Sequence, residues 1–289
     1  MPNCWHSVTP SAGRRFPCVP LFPVNSCLWT MPCMQPMTRP HPLRSALFAQ
    51  HGLIGVFTTR QGGISPPPGN SLNFAPVAGS GAEHVAENLR LLRLSTGLSR
   101  SPIRLRQVHG DRIIAIDERN PSGIKGDAMF TGQANLPLAI QTADCLPILL
   151  ADPGSGLIAA IHAGWRGTAL GIAAQTVRRL RRAGARAERI LASVGPCIGP
   201  CCFTIDTPCA EALARRTEHQ PFIRRLAQKF QADLAGMNIA QLCTEGLISA
   251  HIEHIQRCTC CEAEHFFSYR RDGDAAGRQL AVVVRPSCS

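Results

Sequence analysis

Three short segments of the chain each place one metal-binding side chain beside an apolar run. They are residues 107–110 (QVHG), 142–147 (TADCLP) and 162–167 (HAGWRG), and the side chains are those of His109, Cys145 and His162. Imidazole and thiolate together favour zinc, whereas magnesium and calcium prefer oxygen ligands. Three protein ligands leave a fourth position open for water, and zinc lowers the pKa of such a water to about 7. The three residues are therefore candidates for a catalytic zinc site, although their spacing matches no regular zinc-binding motif.

The same three residues are open to other interpretations. Isolated histidines and cysteines most often serve as ordinary surface or core residues. Cys145 could also be a nucleophile that His109 or His162 activates, as in a metal-free cysteine hydrolase. A fourth protein ligand would instead make the zinc purely structural. Residue types alone leave these alternatives open, and the zinc content per chain would separate them.

The elements predicted around these residues are mainly strands. Residues 53–59 are predicted as a strand and residues 82–97 as a helix. The apolar runs 136–150 and 157–162 are predicted as two buried strands joined by a turn at 152–154. Strand ends can present side chains rigidly into a cleft, and the candidate ligands fall at or near such ends.

The second half of the chain is predicted to contain more helix. Residues 168–183 have the pattern of an amphipathic helix, and residues 208–255 are predicted to be mostly helical. Residues 266–269 and 280–284 are predicted as closing strands. The patterns alone favour a mixed α/β class.

The first 45 residues differ from the rest of the chain. Residues 1–45 are rich in proline and contain no Asp or Glu, which predicts a disordered extension. The catalytic domain is then expected over residues 46–289. Met37 is an alternative start, since the ordered pattern begins soon after it.

Composition narrows the classes of function. The net charge is +11, but lysine occurs only at Lys125 and Lys229, and no nucleic-acid-binding motif is present, so a small anionic substrate suits the charge better than nucleic acid. No apolar stretch is long enough for a membrane span. Without a secretory signal, the 14 cysteines are expected to be thiols or metal ligands of a cytoplasmic protein. The sequence leaves the oligomeric state open.

Taken together, the motifs resemble the laccase-domain family, also called polyphenol-oxidase-like or YfiH-like. Besides the three segments above, the resemblance includes residues 58–63 (TTRQGG), 195–200 (GPCIGP) and 267–272 (FSYRRD) with the Gly-Arg pair at 277–278. It covers nearly all of residues 51–284. The implied fold is a single α+β domain of mixed β-sheets flanked by helices.

The resemblance implies an enzyme of purine nucleosides with zinc on His109, Cys145 and His162. Such an enzyme would cleave nucleosides of the adenosine, inosine or guanosine type with phosphate and would deaminate adenosine. In deamination, water activated at the metal would attack the purine C6, and Asp144 or Asp127 would relay the proton. Asp144 could instead orient the neighbouring ligand.

The substrates implied by the resemblance require a cationic, donor-rich pocket. Arg166 precedes the helix predicted from Thr168, where free backbone N–H groups favour an anion. Arg60, beside a glycine pair, is the second candidate for phosphate. By resemblance, Ser71 and Asn73 would hydrogen-bond a ribose or base.

Other features of the sequence support alternative functions less strongly. Copper oxidation is disfavoured, because the chain has ten histidines and no His-x-His pair. The family also carries the label of peptidoglycan editing factor, and an acidic nucleotide-linked precursor would suit the basic charge. A second zinc site could be formed by Cys258, Cys260, Cys261 and His265. The spacing of these cysteines differs from the usual zinc-finger pairing. Cys201 and Cys202 are predicted to be packed thiols.

Overall fold

The computed structural model describes residues 39–76, 80–117, 119 and 122–287. The predicted extension of residues 1–45 lies outside the described residues as far as residue 38, but its last part is folded. Leu43 and Arg44 pair with Phe57 and Val56, so the ordered chain begins before the predicted boundary at residue 46. The chain at Pro40 packs closely against Gly62, because a Cβ at residue 62 would lie 2.6 Å from the backbone nitrogen of Pro40.

The described residues form fourteen strands and seven α-helices. The strands are β1 (Leu43–Arg44), β2 (Ile54–Phe57), β3 (Ile103–Arg104), β4 (Ile113–Ala115), β5 (Ala128–Thr131), β6 (Leu138–Thr142), β7 (Leu146–Asp152), β8 (Leu157–Ala163), β9 (Leu191–Val194), β10 (Thr204–Ile205), β11 (Ile223–Leu226), β12 (Lys229–Ala232), β13 (Ile252–His254) and β14 (Gln279–Val284). The helices are α1 (Ala46–Ala49), α2 (Ala82–Thr96), α3 (Trp165–Leu170), α4 (Ile172–Arg182), α5 (Thr207–Ala214), α6 (Leu234–Thr244) and α7 (Tyr269–Asp272), with 3₁₀ turns at Ala187–Arg189, Thr217–Phe222, Ser249–His251 and Gly273–Ala275.

Two large mixed sheets carry the fold. One has the strand order β1-β2-β14-β6-β3, and the other has the order β13-β9-β7-β8-β5-β4. Most neighbours are antiparallel, but β3 runs parallel to β6, β4 to β5 and β13 to β9. A small third sheet has the order β10-β12-β11.

The two large sheets pack face to face, with helices on their outer faces. Side chains on a strand alternate between its two faces. On β7, Leu149 and Ala151 point into the core between the sheets, where they join Ile140 of β6. Ile148 and Leu150 of the same strand face the opposite way, toward α4 and α6. Helix α2 covers the outer face of the five-stranded sheet.

The apolar run predicted as one strand over residues 136–150 is in fact two strands. It breaks between β6 and β7, which belong to different sheets. The prediction was wrong because the pattern around residues 143–145 is apolar, although Asp144 adopts a left-handed backbone there with φ of 89°. The break places Cys145 where the chain crosses from one sheet to the other.

The helix predicted over residues 168–183 begins earlier and is interrupted. Gly171 has φ of 83° and ends α3 before α4 begins. Arg166 therefore lies inside the first turn of α3 instead of before a helix. Apolar periodicity alone did not show this, because a single glycine between two helical segments leaves the pattern of apolar residues unchanged.

Two other predictions fail in the C-terminal third. Residues 208–255, predicted to be mostly helical, also contain β11, β12 and β13. Residues 266–269, predicted as a strand, are an irregular segment over 266–268 followed by Tyr269, the first residue of α7. Phe266 and Phe267 are buried because of tertiary packing, which the local pattern cannot distinguish from burial in a sheet.

The predicted fold class and several of the predicted elements are confirmed. Helix α2 and strand β14 lie where the patterns placed them, and Gly97 ends α2 in a left-handed conformation. The fold is α+β, with mixed sheets flanked by helices in a single domain. In the part of the chain that the structure describes, no helix has the length and apolar character needed to cross a membrane.

Candidate functional site

The three candidate ligands converge where β7 begins and β8 ends, at one end of the two central strands of the six-stranded sheet. One ligand atom each from His109, Cys145 and His162 lies within 4.8 Å of the others. The start of β7 pairs with the end of β8, which brings Cys145 beside His162. The rings of His109 and His162 meet edge to face with centroids 4.8 Å apart. This is the arrangement that a shared metal ion requires.

The side chain of Asp127 contacts both histidine-bearing segments of the cluster. This residue lies just before β5, is fully buried, and has its carboxylate 2.9 Å from Nδ1 of His162. Its backbone oxygen also accepts a hydrogen bond from the backbone N–H of His162 at 2.7 Å. Because Nδ1 is engaged by Asp127, Nε2 is the nitrogen of His162 that remains for a metal.

The same carboxylate fixes the loop that carries His109. The backbone N–H groups of Val108, His109 and Gly110 all donate to Asp127, at 3.2, 2.9 and 2.9 Å. His109 has φ of 59°, which is costly for a residue with a Cβ, and the three hydrogen bonds offset that cost. Gln107 anchors the loop further, since its side chain exchanges two hydrogen bonds of 2.7 Å with the backbone of Gln141.

The electrostatics of the cluster shift the pKa values of Cys145, His162 and Asp127. Burial raises the pKa of Cys145, but the charges and hydrogen bonds of His162 and His109 outweigh it and lower this pKa to about 6. Burial lowers the pKa of His162, whereas Cys145 and Asp127 raise it to about 9. Burial raises the pKa of Asp127, but hydrogen bonds from His162 and the 108–110 loop outweigh it and lower this pKa. The cluster thus favours the thiolate, the form of cysteine that binds metals.

Gly164 leaves the space between the three side chains open. A Cβ at this position would lie 3.1 Å from Sγ of Cys145, 3.2 Å from Cδ2 of His109 and 3.8 Å from Cε1 of His162. Any larger residue would therefore press on two of the candidate ligands. The motif His-Ala-Gly thus combines a candidate ligand with a glycine that leaves room for the other two candidates.

Asp144 lies next to Cys145, but its carboxylate is engaged outside the cluster. It accepts one hydrogen bond from the Thr259 hydroxyl and one from the backbone N–H of Arg270, each of 2.6 Å. Its backbone oxygen accepts from the N–H of Ile198 at 2.9 Å. These contacts favour the orienting role for Asp144, because they hold the turn before Cys145 in place.

Arg60 and Ser71 line a separate cavity of about 310 Å³. The guanidinium of Arg60 donates to the backbone oxygens of Asn70 and Ala263, both at 3.0 Å, and lies 4.7 Å above the ring of Phe267. Ser71 accepts a hydrogen bond from the N–H of Gly63 at 3.1 Å. The residues that line this cavity include none of the three candidate ligands.

Asn73 and Arg166 lie elsewhere. Asn73 is fully buried, and its side chain donates to the Ala75 oxygen at 2.6 Å and accepts from the Arg278 N–H at 2.8 Å. Arg166 is exposed and stacks at 4.2 Å on the ring of Trp165. The structure therefore brings the three candidate ligands together, and Arg166 follows Gly164 by two residues. The Asn73 amide is instead engaged in hydrogen bonds within the protein.

Two residues of the site have roles that the sequence did not predict, Asp127 and Gly164. Asp127 was expected only as an alternative proton relay, yet it contacts both segments that carry the histidines. A buried aspartate directly before an apolar strand, here residues 127–131, was the available signal, since such a group must find donors. Nothing local distinguishes Gly164 from an ordinary helix-capping glycine.

The fold and the site together define a class: two-sheet α+β proteins with two histidines and one cysteine gathered at the ends of sheet strands. The family described as multi-copper polyphenol oxidoreductase laccase matches residues 54–286. The chain belongs to this family, which confirms the resemblance predicted from the motifs.

Known relatives cover most of the chain. The purine nucleoside phosphorylase YfiH of Shigella flexneri is 35% identical over 236 residues, which are 80% of this chain and 93% of that protein. The adenosine deaminase RL5 of an unknown prokaryotic organism is 32% identical over 246 residues, which are 80% of this chain and 94% of that protein. The crystal structure of YlmD from Geobacillus stearothermophilus superposes with a TM-score of 0.81 at 33% identity, covering 88% of this chain and 98% of that one.

Proposed function

We propose that the chain is a zinc-dependent purine nucleoside phosphorylase that also deaminates adenosine. The observation that carries the proposal is the cluster of His109, Cys145 and His162 around the gap left by Gly164. Relatives with the names of these two activities match four fifths of the chain. The proposed substrates are purine nucleosides and phosphate, and the proposed location is the cytoplasm.

The residues present fit zinc. Two imidazoles and a thiolate are a borderline-soft donor set, and three protein ligands are the number that catalytic zinc sites use. The contact between His162 and Asp127 is the carboxylate–histidine pairing that accompanies most metal-binding histidines. Bound there, zinc would supply a Lewis acid that polarises the substrate.

The chain's own residues contribute positioning and charge. Asp127 fixes the ring of His162 and the backbone of the loop that carries His109, so these parts of the cluster are positioned before a substrate binds. Its carboxylate already has four hydrogen-bond partners, which makes it a poor carrier of the substrate's proton. Asp144 is engaged by Thr259 and Arg270, so its role in the proposal is to hold Cys145.

Arg166 is the candidate for binding phosphate at the cluster, because it is exposed and lies two residues after Gly164. Arg60 and Ser71 line the separate cavity, so they are the weaker candidates for this role. In phosphorolysis a phosphate oxygen bonds to the ribose C1′ while the bond from C1′ to the purine nitrogen breaks, which yields ribose 1-phosphate and a free base. The charged nucleophile favours a site beside a guanidinium.

A metal-free cysteine hydrolase is the second candidate, and one observation favours it. The two imidazoles lower the pKa of Cys145 to about 6, as an activated nucleophile also requires. Chelation separates the candidates, because it would abolish the zinc enzyme and leave the hydrolase active. Copper oxidation remains disfavoured and would show itself as bound copper and oxygen uptake with a phenol.

The test is a product analysis. The purified protein is incubated with adenosine, inosine and guanosine, with and without phosphate, and the products are separated by chromatography. We expect free base only with phosphate, and inosine from adenosine without it, both lost in His109→Ala and retained in the control His51→Ala, an exposed histidine. Unimpaired His109→Ala protein would refute the site, and activity only on a nucleotide-linked sugar peptide would support precursor editing instead.

A further inference from the structure

A second group of thiols lies outside the site described above. The sulfur atoms of Cys201, Cys202, Cys258 and Cys261 all lie within 4.8 Å of one another. Sγ of Cys261 is 3.3 Å from Sγ of Cys202 and 3.5 Å from Sγ of Cys201. All four are free thiols. We propose that these four cysteines bind a structural zinc ion.

The spacing of the sulfurs fits tetrahedral zinc. With zinc–sulfur bonds of about 2.3 Å, a tetrahedron places its sulfurs about 3.8 Å apart. Two of the separations are slightly shorter than this value and all are at most 4.8 Å, so small side-chain rotations would bring the four sulfurs to one ion. Four cysteines also complete the coordination, as in structural zinc sites, whereas the three-ligand cluster leaves a position open.

The backbone preorganises the four thiols. Cys197 and Cys258 form a parallel β-bridge, and the N–H of Thr259 donates to the Cys197 oxygen at 2.9 Å. The N–H of Gly199 donates to Sγ of Cys258 at 3.2 Å, a contact that stabilises a thiolate. The turn after residue 199 is thereby held against the turn after residue 257.

Two arginines supply positive charge around the cluster. Arg270 donates to the Cys202 oxygen at 2.8 Å, and Arg271 donates to the Cys260 oxygen at 3.1 Å. Four thiolates and one zinc ion carry a net charge of about −2, which Arg270 offsets in part, whereas Arg271 is also paired with Asp272. The cluster thus has both the donors and the surrounding charge of a zinc–thiolate site.

The ligand set differs from the one considered in the sequence. Cys258 and Cys261 form the Cys-x₂-Cys pair, and their partners come from Cys201 and Cys202. These two were predicted to be packed thiols, but Cys201 is exposed and Cys202 half-buried with their sulfurs turned toward Cys261. Cys260 instead packs against the apolar cluster beneath the small sheet.

Zinc at the four cysteines would affect the cluster of His109, Cys145 and His162 indirectly. It would join the segment of Ile198 to the segment of Thr259, and both of these residues hydrogen-bond to Asp144 beside Cys145. Zinc at the four thiols would therefore stabilise the turn that presents Cys145, without taking part in the reaction.

Metal content tests the proposal independently of any nucleoside activity. The full chain, Cys201→Ser/Cys261→Ser, His109→Ala/His162→Ala and the control Cys243→Ser are purified anaerobically with reductant, and bound metals are measured by mass spectrometry. Cys243 is exposed and outside both clusters. We expect two zinc ions per chain in the wild type and in the control, and one in each double variant.

A second measurement covers the case in which the cysteine variant does not fold. In His109→Ala/His162→Ala protein, the four thiols should resist alkylation until a chelator removes the remaining zinc. Absence of zinc from this variant, iron in place of zinc, or a disulfide among the four cysteines would each overturn the proposal.

Discussion

Replacing Gly164 by alanine tests whether the three ligands share one ion. The backbone of Gly164 has φ of −72° and ψ of 171°, which alanine adopts without strain. The new Cβ would lie 3.1 Å from the Cys145 sulfur and 3.2 Å from His109, closer than normal contact by several tenths of an ångström. Metal sites tolerate displacements of only about 0.2 Å in their bond lengths.

We expect the substitution to weaken zinc binding at this site about 10- to 100-fold, the range seen when groups around the ligands are altered. This corresponds to about 1.4–2.8 kcal/mol of binding free energy. Alanine in place of the helix-capping glycine costs about 1 kcal/mol of stability, which leaves the protein folded.

The assay is activity in solutions of buffered free zinc. Gly164→Ala protein should need about 10- to 100-fold more free zinc for half-maximal activity than the wild type. The control is Gly132→Ala, where a Cβ would meet only Leu157 at 3.5 Å, an ordinary contact. An unchanged zinc requirement in Gly164→Ala, confirmed by direct zinc titration, would show that no ion lies among these side chains.

Two further substitutions probe buried carboxylates. Asp127→Asn should weaken zinc binding about 10- to 100-fold and lower the free energy of unfolding by about 1–3 kcal/mol, because an amide NH₂ would replace an oxygen that accepts from backbone N–H groups. Competition with a chelator measures the first effect, and urea unfolding measures the second. Unchanged zinc affinity would contradict the orienting role of Asp127. At Asp152, burial raises the pKa, but hydrogen bonds from Arg189 and the N–H groups of Arg186 and Gly154 outweigh it and lower the pKa. The stabilisation is therefore complete above the unfolded pKa of about 3.9 and is lost as pH falls through the folded value. Asp152→Asn should unfold more easily than wild type at neutral pH, with a smaller difference in acid; a difference that does not change with pH would refute this reasoning.

Much of the fold could be predicted from local patterns, but the crossings between layers could not. Periodicity identified α2 and β14, since α2 has one buried face and β14 is buried on both. It failed at residues 136–150, because an apolar run does not show that its two halves enter different sheets. It failed again over residues 223–232, whose strands are short and only partly buried.

The candidate ligands were found because their types are chemically distinctive, whereas their supports were not. His109, Cys145 and His162 stand out at strand ends in the sequence. Asp127 and Gly164 act through hydrogen bonds and empty space, which appear only when distant segments are brought together. The grouping of Cys201 with Cys261 depends on contacts between loops 60 residues apart, and no spacing rule shows it.

The crossing of the chain between β6 and β7 has a mechanical consequence. Cys145 lies on the passage from one layer to the other, while His162 is fixed within β8. The pairing of Leu146 with Ala163 holds Cys145 beside His162 within one sheet, so a shift of the other layer would act on the sulfur only through the turn at Asp144. Substitutions in the interior between the layers, at Ile140 for example, should then alter metal affinity without touching a ligand.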